Sequence, residues 1–231
     1  MRIRLRQIVM VAADLDAAER RITDELGVEL CYRDPGVATF GLRNALFPIG
    51  DKLLEVVSPT QDGTTAGRFL DKRGGDGGYM VIFETDDLDA ARARFEQAGV
   101  RVVFEAEEEG IVGLHLHPAD VGGAIVSIDR TEEWGEWPWA GPAWRDHVRT
   151  ERVTDVVGVE IEATDPDAMA ARWSAVLGRP VVDRRIDLDE GALTFVPAGE
   201  RGDGVAGFTL AAAPGADPID TTICNCPFVS R

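Results

Sequence analysis

Basic residues are scarce in this chain of 231 residues: lysine occurs only as Lys52 and Lys72, and 24 Lys and Arg stand against 41 Asp and Glu, for a net charge of −17. So large a negative surplus repels phosphate backbones and anionic lipid headgroups at long range, which argues against nucleic acid and membrane surfaces as partners. Cysteine is scarce too. Cys31, Cys224 and Cys226 are an odd number and too few for a disulfide framework, and Cys-x-Cys without a second pair does not make a zinc site. All three read as reduced and structural. Long apolar runs are missing: MRIRLRQIVMVAADLD starts basic, but Asp14 and Asp16 cut its apolar stretch too early for a signal peptide or a membrane span. The expectation is a cytoplasmic protein. With 45% hydrophobic residues, the chain has the composition of a globular protein of one or two domains with a substantial core.

The pattern that is present is a repeat. From Gly74 to Arg130 an apolar, β-prone run at Tyr79–Glu84 leads to an aspartate able to cap a helix. Leu88, Ala91 and Phe95 then recur at helical spacing, and Gly99 ends the helix. Three further β-rich runs follow at Val100–Phe104, Ile111–His117 and Gly123–Ile128, which makes the unit βαβββ. Its strand-to-helix joint, VIFETDDLDAARARF, has counterparts in VMVAADLDAAERRI and EIEATDPDAMAARW, with Asp14, Asp87 and Asp165 superposing at intervals of 73 and 78 residues. The first copy reads as strands at Leu5–Val11, Val28–Tyr32, Ala38–Leu42 with Ala45–Ile49, and Lys52–Val57.

On these residues the chain resembles the vicinal-oxygen-chelate superfamily of glyoxalases, extradiol dioxygenases, bleomycin-resistance proteins and methylmalonyl-CoA epimerases. RFLDKRGGDGGYMVIFETDDLDAARARFEQAGVRV and LHPADVGGAIVSI are most similar to the epimerases. The resemblance implies an α+β fold of repeated βαβββ modules, a curved mixed sheet with helices outside, and here three modules per chain. Residues 1–130 form a two-module domain (1–60 and 74–130), 131–151 a Trp-rich connector, and 152–231 a third, degenerate module. It further implies a divalent metal ion held by the first and last strands of each module. Those positions fall on Gln7 and Glu55 in the first module and on Met80 and Ser127 in the second, where the epimerases carry histidine and glutamate. A thioether is too soft for Mg²⁺, Mn²⁺ or Co²⁺ and a serine hydroxyl is a poor donor, so the inherited metal set is incomplete.

Glu55 lies inside an apolar strand, and a carboxylate there needs a partner, a metal or a proton unless it points to solvent from an edge. Counting along the family's third strand places Val112, Leu114 and Leu116 toward the cavity with Gln7, Glu55, Met80 and Ser127. His115 and His117 then point away, unless the hairpin register is shifted. Trp134, Trp137, Trp139 and Trp144 read as a packed strap or as an aromatic wall of the cavity. Gly74–Gly78 enters a strand and is no phosphate cradle, while Arg68, Lys72 and Arg73 beside it could grip an acidic ligand group. Two functions fit. One is a lyase or isomerase of the glyoxalase and epimerase type, with Glu55 as acid/base on a carbonyl-adjacent carbon. The other is a metal-free protein sequestering a small molecule in the manner of the bleomycin-resistance branch. The third module, with Val157, Val159, Ile161, Phe195 and Phe208, has no partner module in this reading, so a homodimer through 152–231 is expected.

Overall fold

The computed structural model describes Met1–Arg231 in full. In chain order the elements are β1 (Ile3–Val11), α1 (Leu15–Leu26), β2 (Leu42–Ile49), β3 (Lys52–Pro59), α2 (Thr65–Arg73), β4 (Gly77–Thr85), α3 (Leu88–Ala98), β5 (Val102–Glu108), β6 (Ile111–Leu116), α4 (Pro118–Val121) and β7 (Ile125–Thr131). The second half adds β8 (Val153–Ala163), α5 (Pro166–Leu177), β9 (Val181–Val182), β10 (Arg185–Asp187), β11 (Ala192–Pro197), β12 (Gly204–Ala212), β13 (Asp220–Ile223) and β14 (Cys226–Ser230). No helix is long and apolar enough to cross a membrane.

The three repeated joints form as the sequence predicts. Asp14, Asp87 and Asp165 each accept a hydrogen bond from the backbone N–H three residues on, at Ala17, Ala90 and Ala168, which satisfies a donor that the helix itself cannot. Gly27, Gly99 and Gly178 close the helices at φ of 69°, 62° and 66°, a left-handed conformation costly for other residues. The first module departs from its expected strands. Val28–Tyr32 makes only an isolated bridge at Tyr32, and Pro35–Phe40 is a 3-10 turn started by Asp34, because proline at its first position fixes helical φ and offers no ladder N–H.

Each module pairs its first strand parallel to its last and its penultimate strand antiparallel to the last. This holds for β1, β2 and β3, for β4, β6 and β7, and for β8, β10 and β11. The same pairing recurs in β12, β13 and β14, so residues 152–231 hold the third module and three further strands in the module pattern. Between β12 and β13 the chain runs through Pro214, Gly215 and Pro218 instead of a helix. That is why a search built on the strand-to-helix joint does not register it. The expected single last strand over Thr221–Val229 is a hairpin, turned by Cys224 and Asn225 at φ of 50° and 57°.

The chain groups into two compact units. One comprises Met1–Arg6, Met80–Pro138 and Val157–Ala206; the other comprises Gln7–Tyr79, Trp139–Val156 and Gly207–Arg231. These boundaries differ from the expected 1–130, 131–151 and 152–231. In the first unit α3 packs on α5. Trp173 makes edge-to-face contacts with Phe83 and Phe195 at centroid distances of 6.2 and 5.8 Å, and Arg172 donates to the carbonyls of Ala98 and Asp120. In the second, β13 lies against α1, Thr221 bonds Glu25, and Lys52 grips both oxygens of Asp155 at 2.6 and 2.8 Å. Val159, Ile161, Phe195 and Phe208 are therefore buried within a single chain. The premise for pairing through a second copy is not met, because α3 and the strand of Phe83 cover the third module in cis.

Candidate active site around Glu55

Glu55 is not on an edge. β3 lies between β1, with Val9 opposite Glu55, and β2, with Leu46 opposite Glu55, so both backbone flanks are occupied. Strand alternation puts Gln7, two residues before Val9, and Asn44, two before Leu46, on the same face as the carboxylate. Gln7 Nε2 donates to Glu55 Oε2 at 2.8 Å and Asn44 Nδ2 donates to Oε1 at 2.6 Å. Glu55, Gln7 and Asn44 are 8%, 3% and 3% exposed, which removes the solvent-face reading. Burial pushes the Glu55 carboxyl up to about 7, helped by the negative charge of Asp34, while the two amide donors pull it partly back.

Asn44 was not among the residues singled out from sequence. A signal existed: an amide alternating with Leu46 and Pro48 at the head of the apolar run Ala45–Ile49. Its Oδ1 accepts from the backbone N–H of Asp34 at 2.9 Å, and its own carbonyl accepts from Arg33 Nη1 at 3.2 Å. The Asp34 contact fixes the amide orientation, since the end that accepts a backbone N–H cannot be the NH₂ group.

Met80 and Ser127 belong to the other compact unit. In the β4–β7 register Ile82 lies opposite Ser127 and Glu84 opposite Asp129, so Met80, Ile82 and Glu84 share a face with Ser127 and Asp129. That face is filled by polar groups. Glu84 accepts from Arg4 Nε at 2.8 Å and Thr131 Oγ1 at 2.6 Å, Arg6 stands 3.6 Å away, and Ser127 donates to Asp129. Trp134 stacks over Arg4 and Trp137 over Arg6 at 4.7 and 5.0 Å, which packs these two tryptophans against β1.

The hairpin register corrects the assignment on β6. His115 lies opposite Ser127, while Leu114 lies opposite Ile128 and Val112 opposite Arg130. Directly opposed residues share a face, so His115 is on the Ser127 side and Val112, Leu114 and Leu116 are on the reverse. The ladder from Ile111–Thr131 to His115–Ser127 fixes this parity, which counting back from Pro118 misjudges. Burial drops His115 to about 4, and its ring packs edge-on against Phe104. His117 caps α4 by accepting from Ala119 N–H at 3.2 Å.

The residues present do not fit a resident divalent ion. Each Glu55 oxygen already accepts an amide N–H, Gln7 presents nitrogen to it, and Ser127 donates to an aspartate. No three His, Cys, Asp or Glu side chains are grouped as ligands. A surface depression of about 550 Å³ lined by Asp167, Ala170, Val181, Asp183 and Arg184 belongs to the unit without Glu55, and in it Arg184 pairs with Asp167.

Comparison with known proteins agrees with this architecture. A family model described as a glyoxalase-like domain matches residues 8–177. The ethylmalonyl-CoA/methylmalonyl-CoA epimerase of Cereibacter sphaeroides is 27% identical over 133 residues, covering 55% of this chain and 97% of that one. Among solved structures, a methylmalonyl-CoA epimerase in complex with methylmalonyl-CoA and NH₄⁺ is 27% identical with a TM-score of 0.51, covering 60% of this chain and all of the other. A hypothetical protein from Staphylococcus aureus superposes over 99% of both chains with a TM-score of 0.71 at 14% identity, a likeness of fold.

Proposed function

Because the chain belongs to the glyoxalase-like domain family, we propose that it is an isomerase- or lyase-type enzyme in which Glu55 moves a proton on the carbon next to a carbonyl. The observation that carries this reading is the buried Glu55 carboxyl, raised to about 7 and held by two amide donors. A group titrating near neutrality is present in both forms at working pH, as a base that must take and return a proton requires. The C–H bond breaks, its electron pair moves onto the carbonyl as an enolate, and the proton goes to Glu55. Return of a proton to carbon completes an isomerisation, and departure of a β-substituent completes a lyase reaction.

Similarity to CoA-ester epimerases supports acyl thioesters as the first substrates to try. Methylmalonyl-CoA itself is not the expected substrate, since Met80 and Ser127 stand where the epimerases carry histidine and glutamate. The test is NMR of solvent deuterium entering the α-carbon of a panel of acyl thioesters and 2-oxo compounds, methylmalonyl-CoA included. Exchange by the protein that falls on the order of 100-fold or more in Glu55→Gln supports the proposal. Binding without exchange in every case would favour the sequestering function of the bleomycin-resistance type.

A further inference from the structure

The geometry points to Asn44 as a positioning residue that keeps Glu55 Oε1 an acceptor, so that the exchanged proton is held off that oxygen. This rests on the proposed role of Glu55 and adds the device that orients it. Three contacts in series carry it: Asp34 N–H to Asn44 Oδ1 at 2.9 Å, Asn44 Nδ2 to Glu55 Oε1 at 2.6 Å, and Gln7 Nε2 to Glu55 Oε2 at 2.8 Å. An amide whose oxygen is committed to a backbone N–H can offer its partner only N–H, whatever the partner's protonation state. A proton on Oε1 would then meet that N–H head-on.

The Asp34 end of this chain is anchored by the fold. Asp34 Oδ1 accepts from Gly36 N–H at 2.7 Å as the 3-10 turn Pro35–Phe40 begins, which holds the Asp34 backbone toward β2. The groups facing Glu55 are thus two neutral amides, from β1 and β2, and the Asp34 carboxylate of the turn, which opposes ionisation. Asn44 opposes Asp34 by donating to the ionised form.

The experiment is a ¹³C NMR titration of the Glu55 carboxyl in wild type, Asn44→Ala and Asn44→Asp, alongside the pH profile of α-carbon exchange. The wild-type carboxyl, pushed up to about 7 by burial, is the expected reference midpoint. Removing the amide donor in Asn44→Ala raises the midpoint by about one unit, and the exchange profile moves with it. In Asn44→Asp a carboxyl replaces the donor, so two carboxyls share one proton and the upper midpoint rises by about two units or more. Amide chemical-shift dispersion establishes that each variant is folded, and Asn44→Asp tests the idea should Asn44→Ala not fold. An unmoved Glu55 midpoint in either folded variant overturns the role of Asn44 and leaves that of Glu55 standing. A shifted midpoint with no exchange by wild type on any substrate supports the Asn44–Glu55 coupling and overturns the function proposed for Glu55.

Discussion

At the scale of single residues, the proposed chemistry turns on a carboxyl that folding disfavours in its ionised form. Glu55 rises from an ordinary value of 4.5 to about 7 on burial, so the folded state binds its proton more tightly than the unfolded chain. The contribution of this group to stability is complete below 4.5 and is lost as pH rises through 7. Glu55→Gln, which cannot ionise, should therefore gain on wild type by about 3 kcal/mol between roughly pH 4 and pH 8. Urea unfolding at the two pH values checks this. A gap that stays constant or closes would mean that Glu55 is ionised without penalty. A variant more stable than wild type and less active is the expected signature of a group kept for chemistry.

At the scale of elements, the strand-to-helix joint is the unit that repeats, and its aspartate does local work. Asp87 offers Oδ1 to Ala90 N–H at 2.9 Å, so Asp87→Ala leaves one helix N–H without its cap. The expected loss is about 1 kcal/mol, read as a lower urea midpoint at unchanged slope. The effect should be the same in kind at Asp14 and Asp165. Where the joint is absent the element is absent: the strands β12, β13 and β14 repeat the module's pairing around a loop with two prolines. The β4–β7 face shows a different use of the same element. It is occupied by Arg4, Arg6, Glu84, Ser127, Asp129 and Thr131, with two tryptophans stacked on the arginines. Ser127, at a family ligand position, here bonds Asp129 within that packing.

At the scale of the whole molecule, the third module meets its need for cover inside the chain. Trp173 lies between Phe83 and Phe195, and of the apolar residues expected to seek a second copy Val159, Ile161, Phe195 and Phe208 are already buried while Val157 is half-buried. Light scattering at micromolar concentration should accordingly give a mass near 25.0 kDa. Twice that mass would mean that an outer surface, and not the module core, forms a dimer.

The sequence by itself determined the module. Three joints with an aspartate cap and a glycine stop are set by neighbours within a few residues, and local physics is what a sequence displays. The resemblance to the glyoxalase superfamily pointed to Gln7 and Glu55, and the apolar strand around Glu55 made its carboxylate stand out. The tertiary structure decided what local pattern does not contain. The amide of Asn44 acquires its direction from Asp34, ten residues away. The face of His115 follows from a hairpin register, where a slip of one residue exchanges the two sides of the sheet. The fourth set of strands, with no helix to announce it, is visible only through its pairing, β12 running parallel to β14 with Phe208 opposite Phe228, and β13 antiparallel to β14.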